Sequence, residues 1–192
     1  MKKYGLIAIL LLICSCSEVK NFDKYIFIPD KEDPNLPACT ELGYNTFGAK
    51  YGNFYLLSSS NSSFGVDYHN GMLDLWLDGR QVSADNAASI SLTFSFPSSP
   101  VHAYQDLASL NGTTIDLTGA SCNLIMRNGY QKADTLIVSN GRLNFKQAKI
   151  LRIDMADNRT ILSGIFDAQF LRNGVQETIS NGRFDLGITN VN

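Results

Sequence analysis

The sequence predicts an all-β fold, a single antiparallel β-sandwich or barrel domain of about nine or ten strands. Two observations carry that expectation: the turn chemistry, and the period of the apolar residues. Asn-Gly occurs at 70–71, 111–112, 128–129, 140–141, 173–174 and 181–182, and Asp78-Gly79 adds a related pair. These dipeptides favour the positive φ values of tight hairpin turns, whose twist matches that of paired strands. A helical domain would have little use for them. Between the turns, apolar and polar residues alternate, the period of a half-buried strand.

Taken in chain order, the first such strand holds Leu73, Leu75 and Leu77 on one face and Asp74, Trp76 and Asp78 on the other. Ile90, Leu92, Phe94 and Phe96 share a face in the next, opposite Ser91, Thr93 and Ser95. A helical period is nearly absent; the exception is the stretch from His102 to Leu110. Leu151, Ile153 and Met155 alternate with Arg152 and Asp154. Phe166, Ala168 and Phe170 follow, and Phe184, Leu186 and Ile188 close the chain.

The N-terminus has a different character. Lys2 and Lys3 precede an unbroken apolar run, Leu6 to Ile13. A spanning helix needs about 20 apolar residues, so this run fits the apolar region of an export signal instead. The following Ile13-Cys14-Ser15-Cys16 resembles the lipobox of bacterial lipoproteins: an aliphatic residue, two small residues, then cysteine. Residues 1–15 are then the lipoprotein signal peptide and Cys16 is the lipidation site. Cys14 fits less well, because bulky Ile13 precedes it. Two acyl chains, at about 0.8 kcal/mol per buried methylene, hold a protein stably on a bilayer. Residue 17 is Ser rather than Asp, which by the same resemblance favours the outer membrane, with the periplasmic or surface face left open.

Residues 16–43 read as the lipidated cysteine and a flexible Pro-containing tether, with residues 44–192 as the β domain. Pro29, Pro34 and Pro37 are three of the chain's five prolines, and Asp30, Lys31, Glu32 and Asp33 lie among them. Such a segment buries too little apolar surface to fold alone. Extended at about 3.1 Å per residue, it would reach ~80 Å. Tyr25-Ile26-Phe27-Ile28 is an apolar interruption, suited to docking as a short edge strand or to contact with a partner.

Composition narrows the function classes. The chain has 16 basic and 18 acidic residues. Losing residues 1–15 removes Lys2 and Lys3 and no acid, which leaves the mature chain at −4 before its termini. An acidic balance gives neither the electrostatic footprint of a nucleic-acid binder nor a polybasic membrane patch. With Cys16 lipidated, Cys39 and Cys122 form a candidate disulfide pair worth ~4 kcal/mol on the chain-entropy account. Two unpaired buried thiols are the alternative.

Two stretches carry a resemblance. Near the start of the domain stand Asn45-Thr46-Phe47-Gly48-Ala49 and Tyr51-Gly52-Asn53. Near the end stand Leu162-Ser163-Gly164-Ile165-Phe166 and Ile179-Ser180-Asn181-Gly182-Arg183-Phe184-Asp185. Together they resemble small Bacteroidota lipoproteins of unknown function, which share an N-terminal N-T-F-G motif and a C-terminal S-G-x-F … G-R-F-D pair of strands. This chain departs from the pattern in reading Gly52-Asn53 where the family has Asn-Gly, with no Trp after it, and in placing Asn181 before the last glycine. The resemblance implies a β fold and an envelope address, and assigns no activity and no functional residues. Asp134-Thr135-Leu136 is similar to the short O-glycosylation acceptor of the same phylum.

No nucleophile elbow, phosphate loop or zinc spacing is present, and the two histidines, His69 and His102, stand far apart. The sequence implies no catalytic residues, no metal and no cofactor. Its most informative surface is the outward face of the strand around Trp76. An indole stacks on the C–H face of a pyranose, and Asp74 and Asp78 accept its hydroxyl protons. As a glycosidase pair these two acids fail, since residues i and i+4 lie about 13 Å apart against the roughly 5–9.5 Å that hydrolysis needs. On the structural alternative, Trp76 covers the domain under a loop and both acids are solvated. Tyr44, Phe47, Tyr51, Phe54, Tyr55, Phe64 and Tyr68 supply core and a binding mouth, with Ser58 to Ser63 as its polar lip.

The expectation is therefore a non-catalytic cell-envelope lipoprotein, held to the membrane through its lipid, that binds a glycan or an envelope protein. The alternatives are an inhibitor or immunity-type lipoprotein, marked by a protruding rigid loop, and an enzyme acting on envelope polysaccharide. The enzyme would be marked by two carboxylates converging from different strands.

Overall fold

The strands close on one another, and the reason lies in their inward faces. A computed structural model describes residues 24–82, 88–153 and 157–189. The signal segment, Cys16 and Met155 lie outside the described residues. The strands are β1 (Thr46–Tyr51), β2 (Phe54–Leu57), β3 (Phe64–His69), β4 (Met72–Val82), β5 (Ser89–Pro97), β6 (Thr114–Asp116), β7 (Asn123–Asn128), β8 (Asp134–Ile153), β9 (Asp157–Arg172) and β10 (Val175–Thr189). The antiparallel order β2-β1-β10-β9-β8-β7-β5-β4 is closed by pairing of β2 with β4, giving an eight-stranded barrel. The two other strands lie beside it, β3 on β4 and β6 on β8. The one helix among the described residues, a 3-10 turn at Tyr104–Leu110, falls where the sequence allowed one, and buries Leu107 and Leu110.

The inward faces predicted for β4, β5, β9 and β10 are the observed ones, while Leu151 is half-buried and the side chains of Ile153 and Met155 lie outside the described residues. Leu73, Leu75 and Leu77, then Ile90, Leu92, Phe94 and Phe96, are at most 2% exposed. Phe166, Ala168 and Phe170 are buried, as are Phe184, Leu186 and Ile188. Seven fully buried phenylalanines fill the interior, with Phe94 edge-on to Phe166 at 4.8 Å and Phe145 to Phe184 at 5.9 Å. Each such ring stabilises the fold by roughly 1.5–3 kcal/mol. Register shifts in β1, β8 and β10 bend these strands to close the barrel.

The Asn-Gly pairs divide by role. Asn70-Gly71 and Asn173-Gly174 both take positive φ at each residue and form the β3–β4 and β9–β10 hairpins. Gly112 follows the 3-10 helix and Gly129 follows β7. Asn140-Gly141, Asn181-Gly182 and Asp78-Gly79 lie inside strands, against the turn expectation. Steric room explains them: an added Cβ would stand 2.9 Å from Asp167 O at Gly141 and 2.8 Å from the Phe47 ring at Gly79.

The tether expectation over 16–43 needs correction for its described part, 24–43. Leu36 is fully buried. The amides of Ile26, Asp30 and Ala38 donate to Tyr44, Leu36 and Ile28 carbonyls at 2.7–3.0 Å. Arg183 holds Asp30 at 2.6 Å. Most of all, the fully buried Asp185 carboxylate accepts from the amides of Leu42, Gly43 and Tyr44, at 3.2, 2.7 and 3.4 Å, and from the Thr40 hydroxyl. Charge-assisted bonds of this kind are worth about 1.5–3 kcal/mol each. A segment too polar to fold alone is thus ordered by donors and acceptors that the barrel presents to it.

Candidate functional site

The outer wall of β3, β4, β5 and β7 carries the polar residues whose neighbours point inward. Pairing places Gly65, Trp76, Thr93 and Ile125 in one cross-strand row. Asp78, Ser91 and Arg127 form the row on one side, and Asp67, Asp74 and Ser95 the row on the other. Trp76, Asp74 and Asp78, the three ligand candidates from the sequence, do share the outward face, and all three are half-buried. Together with Ser63, Asp67, Ser91, Thr93, Ile125, Arg127 and Ala133 they line an open hollow of about 340 Å³.

Gly65 explains how the indole is held. A Cβ added there would stand 2.7 Å from Trp76 Cζ2 and 2.9 Å from Cη2, so the six-membered ring lies directly against the glycine. A bare glycine on a strand is commonly covered by a cross-strand aromatic, and Trp76 does this. Covering Gly65 uses one side of the ring, while Trp76 still lines the hollow.

The acids are arranged unequally. The carboxylate Oδ1 of Asp74 is buried and accepts no hydrogen bond among the described residues, while its Oδ2 lies 3.9 Å from His69 Nε2. A buried acceptor without a donor costs about 1–3 kcal/mol. Asp78 faces Ser91 across the ladder. Asp67 stands directly opposite Asp74. Sequence reasoning missed this acid, because only the strand register shows that residues seven apart meet. Their Cβ atoms fall about 4.5–5.5 Å apart, as for any directly opposed pair.

A second hollow, also about 340 Å³, opens at the barrel end between the β3–β4 hairpin and the 101–107 segment. Its floor is Leu73, Val101 and Leu107, and its rim includes Asp67, Tyr68, His102 and Tyr104. Tyr68, from the aromatic cluster seen in the sequence, is 41% exposed and meets the His102 ring edge-on at 6.1 Å. His69 and His102, remote in sequence, thus come to one end of the barrel. The rim is pinned: Asp106 Oδ2 accepts from the amides of His102 and Ala103 at 3.0 and 3.1 Å, and the Tyr104 hydroxyl donates to Val66 O at 3.2 Å. Elsewhere in that cluster, Phe47 is core and Phe54 is exposed. The expected polar lip is tied down at its start, where buried Ser58 bonds both the amide and the carbonyl of Phe47.

The Cys39–Cys122 pairing also needs correction, since both thiols are free. Cys39 packs beside β9, its Sγ 4.0 Å from Gly164 O, whereas Cys122 lies in the β6–β7 turn, its amide bonded to Gly119 O. Burial, with Asp185 and Glu41 nearby, pushes the Cys39 thiol up to about 11. Burial raises Cys122 as well, helped by Asp116. Neither is poised as a nucleophile.

No family model, no curated protein and no solved structure matches this chain.

Proposed function

We propose that this protein is a non-catalytic, lipid-anchored protein of the bacterial cell envelope whose barrel wall binds a glycan. The carrying observation is the half-buried Trp76, seated on Gly65 and flanked along its strand by Asp74 and Asp78 in an open hollow. The indole supplies a flat apolar surface for a pyranose C–H face, and the carboxylates and the Ser91 and Thr93 hydroxyls supply hydroxyl partners. The envelope address rests on the lipobox-like Ile13-Cys14-Ser15-Cys16, with Cys16 as the anchor.

On a glycan array the wild-type protein should bind a saccharide. Trp76→Ala should abolish that binding with an unchanged circular dichroism spectrum. An array on which wild type binds nothing sinks the proposal. One observation favours a second reading, hydrolysis of a polysaccharide: the opposed pair Asp67 and Asp74, drawn from neighbouring strands. New reducing ends, released by wild type and lost in Asp74→Asn, would establish that reading instead.

A further inference from the structure

The geometry points to the bilayer as the partner of one barrel end: the end with the β3–β4 hairpin and the 101–107 segment stands against the lipid surface, kept there by a short link to Cys16. The inference rests on the lipid-anchor reading above and is independent of the glycan. Its first support is a length. With residues 24–43 docked on the barrel, the link that remains runs only from Cys16 to Lys24. Eight residues span at most ~29 Å however they are arranged, against the ~80 Å of a tether made of all of residues 16–43.

The second support is where the link joins the barrel. The Ile26 amide donates to the Tyr44 carbonyl at 3.0 Å, just ahead of β1, and the Tyr25 hydroxyl bonds the Ser58 side chain, just after β2. β1 runs antiparallel to β2, β2 to β4, and β4 to both β3 and β5. The start of β1, the end of β2, the β3–β4 hairpin and the residues after β5 therefore lie towards one end, and Lys24 leaves from it. The β7–β8 connection, with the fully exposed Tyr130, lies at the other. β4 has 11 residues, so the two ends stand roughly 30 Å apart along that strand. The third support is the chemistry of the anchored end. Tyr68 meets His102 at the rim of a hollow floored by Leu73, Val101 and Leu107, with Tyr104 beside them. A tyrosine joins an apolar ring to a polar hydroxyl, which suits the boundary between headgroups and acyl chains. This end also carries Asp67 and Asp106, so it fits zwitterionic rather than anionic headgroups.

The mature lipidated chain, reconstituted in phosphatidylcholine vesicles that contain a dansyl-labelled lipid, tests this. In a Trp76→Phe background, Tyr68→Trp puts the single tryptophan at one end and Tyr130→Trp puts it at the other, both at exposed positions. Energy transfer to the dansyl lipid should be stronger from position 68 than from position 130. A Gly-Ser insertion of about 20 residues between Asp23 and Lys24 restores a long tether without touching the barrel, and should abolish that difference. Equal transfer from both positions, or stronger transfer from position 130, in a chain whose mass includes the lipid would overturn the inference and leave the anchor standing. A difference that survives the insertion would overturn the short link as its cause. A mature chain without lipid at Cys16 would overturn the anchor reading and this inference with it.

Discussion

Gly164 shows at residue scale what the motif residues do. An alanine there would drive its Cβ into the Asn144 carbonyl and to 2.7 Å from the Phe184 ring, and neither has room to withdraw within a paired sheet. Gly182 lies in the same way under Phe166, and Gly48 under Pro37. The Asn45 side chain accepts from the Gly187 amide at 2.8 Å, and Asp185 gathers the 40–44 backbone. The residues behind the family resemblance are therefore structural: they join the first strand, the last two and the segment before them. Gly164→Ala should cost about 2–3 kcal/mol in urea unfolding. Gly119→Ala, whose nearest neighbour would be 3.4 Å away, should change stability by under about 1 kcal/mol. Cys39 carries a second prediction at this scale. Its thiol is raised to about 11, against an unfolded value of 9.0. The folded state therefore keeps its proton where the unfolded chain loses it, so this contribution is complete below pH 9 and is lost as pH rises towards 11. In the full chain carrying Cys14→Ser, Cys16→Ser and Cys122→Ser, iodoacetamide should label Cys39 at pH 8 far more slowly in the folded than in the urea-unfolded state. Equal rates would contradict its burial.

At the scale of elements, the strands were legible where one face was buried. The inward leucines of β4 and the inward aromatics of β5, β9 and β10 follow a period of two that the sequence displays directly. Closure of the barrel was not legible, because the β2–β4 pairing joins Tyr55–Leu57 to Arg80–Val82, and strand order leaves no mark in local alternation. Nor was the docking of residues 24–43. Their composition reads as a linker, and the partners that order them, Arg183 and Asp185, stand some 150 residues away in β10. The Asp30–Arg183 contact is a testable part of this clasp. Burial raises the Asp30 carboxyl, but the amides of Asp33 and Glu32 and the Arg183 guanidinium outweigh it and hold it below its usual range. Its contribution is therefore present above pH 3.8 and is lost as pH falls through the lowered value. Hydrogen exchange should show the Ile26, Asp30 and Ala38 amides protected at neutral pH. Arg183→Ala should lower that protection while leaving the β4–β5 ladder unchanged. Protection unaltered by this variant would mean that the segment is held without the ion pair.

At the scale of the molecule, the barrel divides labour between its two surfaces. The interior is occupied by phenylalanine rings, and the two hollows described above lie on the outer wall and at the end of the barrel. Half of the candidate site was visible in the sequence. Trp76, Asp74 and Asp78 share a strand, and alternation alone puts them on one face. Asp67 beside them, and the separate barrel-end hollow edged by Tyr68 and His102, depend on register and on where residues 101–107 cross the barrel end, and neither follows from spacing. A lipid at Cys16 would hold this wall near the envelope, where saccharides are abundant. The chain contains a single tryptophan, so its intrinsic fluorescence reports on Trp76 alone. Titrating the protein with a panel of cello-, laminari-, malto-, xylo- and chito-oligosaccharides should give a saturable blue shift of that emission, as a sugar ring replaces water over the indole. An emission spectrum unchanged across the whole panel, from protein shown to be folded, would contradict the account.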